Sequence, residues 1–100
     1  MNDLIIVIVP KYRDEEVMEE AKKIGAKGGT ILHGRSIQSS DCYKLLGIVV
    51  EPEKEVVLIL VDNKLTDQIL EALDNKLELG KNNNSLALVV DVNYVVGLRK

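Results

Sequence analysis

A chain of 100 residues, 46% apolar and with a formal net charge of -3, has room for one domain with a modest core. Three Tyr are its only aromatic side chains and its charges are mixed, so it offers neither the stacking rings nor the basic footprint that nucleic-acid binding requires. The lone cysteine, Cys42, cannot close an internal disulfide; with no basic leader and no apolar run of membrane-spanning length, a soluble protein of the cytoplasm is expected.

Residues 4–9 (Leu-Ile-Ile-Val-Ile-Val) are a β-branched run stopped by Pro10. Unbroken apolarity of this kind predicts a central strand covered on both faces. The spacing of Val17, Ala21 and Ile24 predicts a helix over 13–24, with Asp14, Glu15 and Glu16 at its positive end, Lys22 and Lys23 at its negative end and Gly25 as its stop.

A second strand is expected over 29–34, then a polar loop over 36–43 in which Ile37 is the clear hydrophobe. Residues 44–50 turn apolar again, as a short strand or turn. After Pro52, the run 55–61 repeats the buried-strand signature, while Glu51, Glu53, Lys54 and Glu55 read as the solvated start of that strand.

Asp62-Asn63 can cap a second helix, with Leu65, Ile69, Leu73 and Leu77 at four-residue steps and Gly80 as its end. A polar turn over 81–85 leads to a strand over 86–90, and 94–98 reads as a short edge segment before Arg99-Lys100.

The order β-α-β-β-α-β predicts an α+β, ferredoxin-like sandwich, a four-stranded antiparallel sheet with two helices on one face, spanning 1–100 as a single domain. Two helices cover one face of such a sheet, yet the strands are apolar on both. A second copy of the chain is the expected cover.

Three stretches could carry chemistry. The first is Lys27-Gly28-Gly29-Thr30 with His33-Gly34-Arg35: glycines that free the main chain and let a ligand approach it, a hydroxyl, an imidazole, and a guanidinium suited to phosphate. The second is Gly80-Lys81-Asn82-Asn83-Asn84-Ser85, whose amides could cradle an anion; it joins helix to strand, so it is not a Walker A loop. The third is Arg99 with Lys100. One His and one Cys among scattered carboxylates make no metal-ligand pattern, and no partner adjacent in sequence makes His33 catalytic, so neither a metal site nor an enzyme is expected.

The stretch Lys-Gly-Gly-Thr-Ile-Leu-His-Gly-Arg (27–35), followed by a loop and by Glu-Pro-Glu-Lys-Glu-Val-Val-Leu-Ile-Leu-Val (51–61), resembles the PII nitrogen-regulator superfamily, and more narrowly the short PII-like proteins of Firmicutes. The resemblance extends from Met1 to about Arg99. It implies a homotrimer that binds ATP or ADP, with or without Mg, in clefts between subunits; AMP or a cyclic nucleotide would suit the thinner basic set of this chain. It also implies a T-loop, here shortened to about 36–54, that regulates a transporter or an enzyme. By the same resemblance, Gly29, Thr30, His33, Gly34 and Arg35 form one wall of the nucleotide site, Gly80, Lys81, Asn82, Asn83, Asn84 and Ser85 a second, and Arg99 a third.

The chain departs from the family at several of these positions. Asn83 stands where a glycine is usual, Asn84 at the aspartate, Leu86 at a phosphate-binding lysine and Gly97 at an arginine, while Tyr43 lacks the usual surroundings of the modified T-loop tyrosine. Two other readings share the topology: a copper-tolerance-like trimer, which would need more soft or imidazole ligands, and an acylphosphatase-like hydrolase, for which Arg13 would be the arginine.

Overall fold

The computed structural model describes residues 1–37, 43–45, 48–50, 53–79, 81 and 85–98. In chain order the elements are β1 (Asn2–Pro10), α1 (Asp14–Ile24), β2 (Thr30–Arg35), β3 (Tyr43–Leu45), β4 (Ile48–Val50), β5 (Glu53–Asp62), α2 (Asn63–Leu77) and β6 (Leu86–Val92). The strands β2-β5-β1-β6 form one antiparallel sheet, and β3 and β4 pair separately. The expected βαββαβ sandwich is therefore present. Of the stretch 44–50, read as a short strand or turn, residues 44–45 and 48–50 instead belong to the paired strands β3 and β4, the first of which begins at Tyr43.

Strand alternation sorts β1 and β5 into two apolar faces. Ile5, Val7 and Val9 on β1 and Val57, Ile59 and Val61 on β5 are buried. They meet Val17 and Ala21 of α1 and Ile69, Leu73 and Leu77 of α2 in one cluster. Each fully buried aliphatic side chain of this kind contributes about 1.5–3 kcal/mol relative to exposure.

The helix ends follow local chemistry. The N–H of Gly25, at φ 134°, donates to the carbonyls of Ala21 and Lys22 and closes α1. The Asp62 carboxylate accepts the N–H of Lys64 at 2.9 Å and caps α2, as expected. The other end of α2 differs from expectation: the helix ends at Leu77, and Glu78 (φ 53°, ψ 51°) takes a left-handed cap, two residues before the expected end at Gly80. Leu77 is the last of the four-step apolar series, and Leu79, past the helix end, still packs against the core.

Residues 93–98 form no strand, contrary to the expected edge segment. Gly97 turns left-handed at φ 91°, and Leu98 lies at the end of the sheet near Met1 and Asn2 rather than along its edge. Two contacts tie that same end together: Thr66 Oγ1 donates to Asp3 Oδ2 at 2.7 Å, and the N–H of Asn63 donates to the carbonyl of Met1 at 3.0 Å. Among the described residues, no helix is long and apolar enough to cross a membrane.

The face away from the helices is a grid in register. Leu60, Leu4 and Val90 make one row, Leu58, Ile6 and Leu88 a second, and Val56, Ile8 and Leu86 a third. Val90, Leu88 and Leu86 remain 46%, 41% and 45% exposed. Leu32 of β2, opposite Val56, continues the third row and is 49% exposed.

Candidate functional site

The segment joining α1 to β2 runs beside the C-terminal half of β5, and between them lies a groove of about 800 Å³. Its floor and walls come from Gly25 to Thr30, from Leu58, Leu60 and Asp62, and from Leu4, Leu65 and Leu98. Neither Gly28 nor Gly29 has a left-handed φ, so the conformational freedom expected of them is not what the structure uses. Gly29 is small for another reason. A Cβ there would lie 2.9 Å from both the Leu58 carbonyl oxygen and Met18 Sδ, whereas one on Gly28 would meet nothing within 4 Å. The first wall of the groove depends on this close passage of main chain over β5.

The expected wall of Gly29, Thr30, His33, Gly34 and Arg35 does not stay together. Thr30 lies opposite Leu58, and Gly34 opposite Lys54, on the open face of the sheet. His33 and Arg35 lie opposite Glu55 and Glu53, on the face toward the helices. Only Gly29 and Thr30 of this set line the groove; His33 begins a separate cluster about 10 Å farther along the strand.

That second cluster is built around Glu55. Its side chain is nearly buried, Oε1 accepts the N–H of Tyr12 at 2.6 Å, and Oε2 lies 3.5 Å from Nδ1 of the exposed His33. Glu53, two residues earlier, pairs with Lys11 at 2.6 Å. The hydrogen bond to Lys11 and its charge hold the Glu53 carboxyl below the usual carboxylate range, with His33 adding to the effect, and the same pair raises Lys11.

Lys54 and Glu55, expected as a solvated strand start, are instead only 6% and 5% exposed. The signal was present in the alternation: Glu55 has the parity of Val57, Ile59 and Val61, the core-facing residues, and Lys54 that of the open face. His33 thus has a carboxylate neighbour in space that adjacency in sequence did not disclose. Arg13, the hydrolase candidate, precedes α1 and is bound to Glu16 at 2.6 Å. That bond raises the guanidinium and lowers the Glu16 carboxyl.

In the turn before β6, Lys81 is exposed and its N–H donates to the Glu78 carbonyl at 2.9 Å, while Ser85 is buried. Gly80, Asn82, Asn83, Asn84, Arg99 and Lys100 lie outside the described residues. Leu98, one residue before Arg99, lines the groove of its own chain. Among the described residues, no three His, Cys, Asp or Glu side chains are grouped to hold a metal ion.

No protein-family profile and no curated relative matches the sequence; solved structures match through the fold. A PII-like signalling protein from Thermus thermophilus is 22% identical with a TM-score of 0.67, over 91% of this chain and 85% of that one. CPII, a nitrogen regulatory PII-like protein from Thiomonas intermedia in a structure bound to ADP, AMP and bicarbonate, gives 0.73 at 15% identity over 97% and 96% of the two chains. The periplasmic divalent cation tolerance protein CutA from Archaeoglobus fulgidus gives 0.69 at 9% identity over 97% and 89%. The resemblance to PII proteins carried by residues 27–35 and 51–61 is thus matched by a PII-like fold.

Proposed function

We propose that this chain is a PII-like regulatory protein that acts by binding rather than turnover. Three copies close over their open sheet faces, an adenine nucleotide occupies the cleft between copies, and residues 36–52 act on a partner such as a transporter or an enzyme. One observation carries the reading: Leu4, Leu58 and Leu60 belong both to the open apolar grid and to the wall of the groove. A second copy laid on the grid therefore supplies the missing wall of the groove, so that one association buries the sheet and builds the site.

The fold shared with CPII, whose structure holds ADP and AMP, supports an adenine nucleotide as the occupant. In this reading the base and ribose lie against Gly29 and Thr30, and the phosphates, with Mg, meet Lys81, the amides of 82–85 and Arg99. His33 and Arg35, on the other face of β2, belong to the base of the loop. The effector signals by favouring one arrangement of that loop.

Calorimetric titration with ATP, ADP, AMP and a cyclic nucleotide, with and without Mg, tests the reading. Micromolar binding at one site per chain, weakened in Thr30→Ala and Asn83→Ala, is expected. Silence toward every nucleotide, with stabilisation by a divalent cation instead, would overturn it in favour of a cation-binding role of the kind CutA is named for.

A further inference from the structure

Glu55 stands where three pieces of chain meet: the turn between β1 and α1, the strand that leads into residues 36–52, and the strand that returns from them. A carboxylate this deeply buried is tolerated when its oxygens are engaged, and here one takes the N–H of Tyr12 while the other faces His33. Glu53 makes a parallel connection. Its carbonyl accepts the N–H of Lys11 at 3.3 Å, and its carboxylate takes the Lys11 ammonium. The turn is thus fastened at three points, all of them on the first three residues of β5.

Tyr12 itself is unusual. Its φ is 77°, a left-handed conformation that bulky residues adopt rarely. The residue is 81% exposed, with the Lys11 ammonium 5.1 Å from the ring centre, so burial does not hold it there. The turn bond from the N–H of Arg13 to the Pro10 carbonyl at 3.2 Å and the hydrogen bond to Glu55 together hold the backbone there.

We propose that the Glu55 clasp joins the β1–α1 turn and the base of the 36–52 segment into one body, so that a shift of the loop base is passed to the exposed ring of Tyr12. His33 and Arg35 form the rungs opposite Glu55 and Glu53, so a displacement of these rungs either carries the turn with it or breaks the clasp. Tyr12 then presents a second surface that reports the state of the loop. The inference rests on the regulatory reading only in taking the loop base to move; the clasp stands independently of it.

Amide hydrogen exchange of the full chain, resolved by residue, tests the proposal with Glu55→Met, Glu55→Gln and ADP as the probe. Glu55→Met removes the acceptor and is expected to speed exchange at Tyr12 roughly tenfold or more, with the Ile59 amide in the core unchanged. Glu55→Gln keeps an acceptor oxygen and should restore most of the protection. ADP is expected to alter exchange at Arg35, Glu53 and Tyr12 together in the native chain, and to lose its effect on Tyr12 in Glu55→Met. Equal Tyr12 exchange in the native and Met chains, or an ADP response at Arg35 and Glu53 that leaves Tyr12 unmoved, overturns the proposal. An ADP effect at no residue contradicts the regulatory reading instead, and the Met and Gln chains still decide the clasp.

Discussion

Thr30 and His33, three residues apart on β2, face opposite sides of the sheet: Thr30 is in register with Leu58 on the open face, and His33 with Glu55 on the helix side. This relation divides one glycine-rich stretch between two tasks. Its first half walls a groove that opens onto the apolar grid, and its second half sets His33 and Arg35 opposite Glu55 and Glu53.

The open grid makes assembly the first expected outcome. Sedimentation of the native chain should show an oligomer, whereas Leu88→Asp, which places a charge in the middle row beside Ile6, should sediment as a single folded chain. Burying an unpaired carboxylate against that many aliphatic side chains costs several kcal/mol, more than a modest interface can offset. A Leu88→Asp chain that still assembles would show that the grid is not the contact.

Gly29 and Gly28 should respond differently to the same substitution. Gly29→Ala drives a methyl to 2.9 Å from a main-chain oxygen and a methionine sulfur, and is expected to lower stability by about 1–3 kcal/mol. Gly28→Ala meets open space and should stay within about 0.5 kcal/mol of the native chain. Chemical denaturation of the pair checks this, and equal losses would contradict the close passage over Leu58.

Much of this architecture is legible in the sequence because the strongest signals are long and regular. The unbroken runs 4–9 and 55–61 mark two-faced central strands, and the four-step series Leu65, Ile69, Leu73, Leu77 marks α2 with its Asp62 cap. The site is less legible because proximity along a chain is not proximity in a sheet. The run from Gly29 to Arg35 reads as one wall until strand alternation separates Thr30 from His33. Glu55 hides behind its charge, although its parity with Val57 and Ile59 places it on the core side. The left-handed cap at Glu78, which is not a glycine, and the turn of 93–98 toward Met1 carry no local compositional signal.

Acid should loosen the surface pairs. Lys11 holds the Glu53 carboxyl below its ordinary range, and Arg13 does the same to Glu16. A carboxyl depressed on folding stabilises the native state above its unfolded value, about 4.3 for Glu, and that contribution is lost as the pH falls through the folded value. Melting temperatures should therefore fall below about pH 4.3, and fall less in a Glu16→Gln, Glu53→Gln double variant. The Lys11–Glu53 pair is exposed and the Arg13–Glu16 pair only half-buried, so the difference should be small and should shrink with added salt. An identical acid slope in the double variant would remove these pairs from the account.

ADP titration of the native assembly beside Leu88→Asp tests whether a second copy completes the proposed nucleotide site. Leu88 lies in the grid but does not line the groove, so its substitution acts on assembly and not on the pocket. Micromolar ADP binding by the assembled chain is expected, with a loss of at least about tenfold, or 1.4 kcal/mol, in the dissociated one. Equal affinity in the two, or no binding by the native assembly, would contradict it.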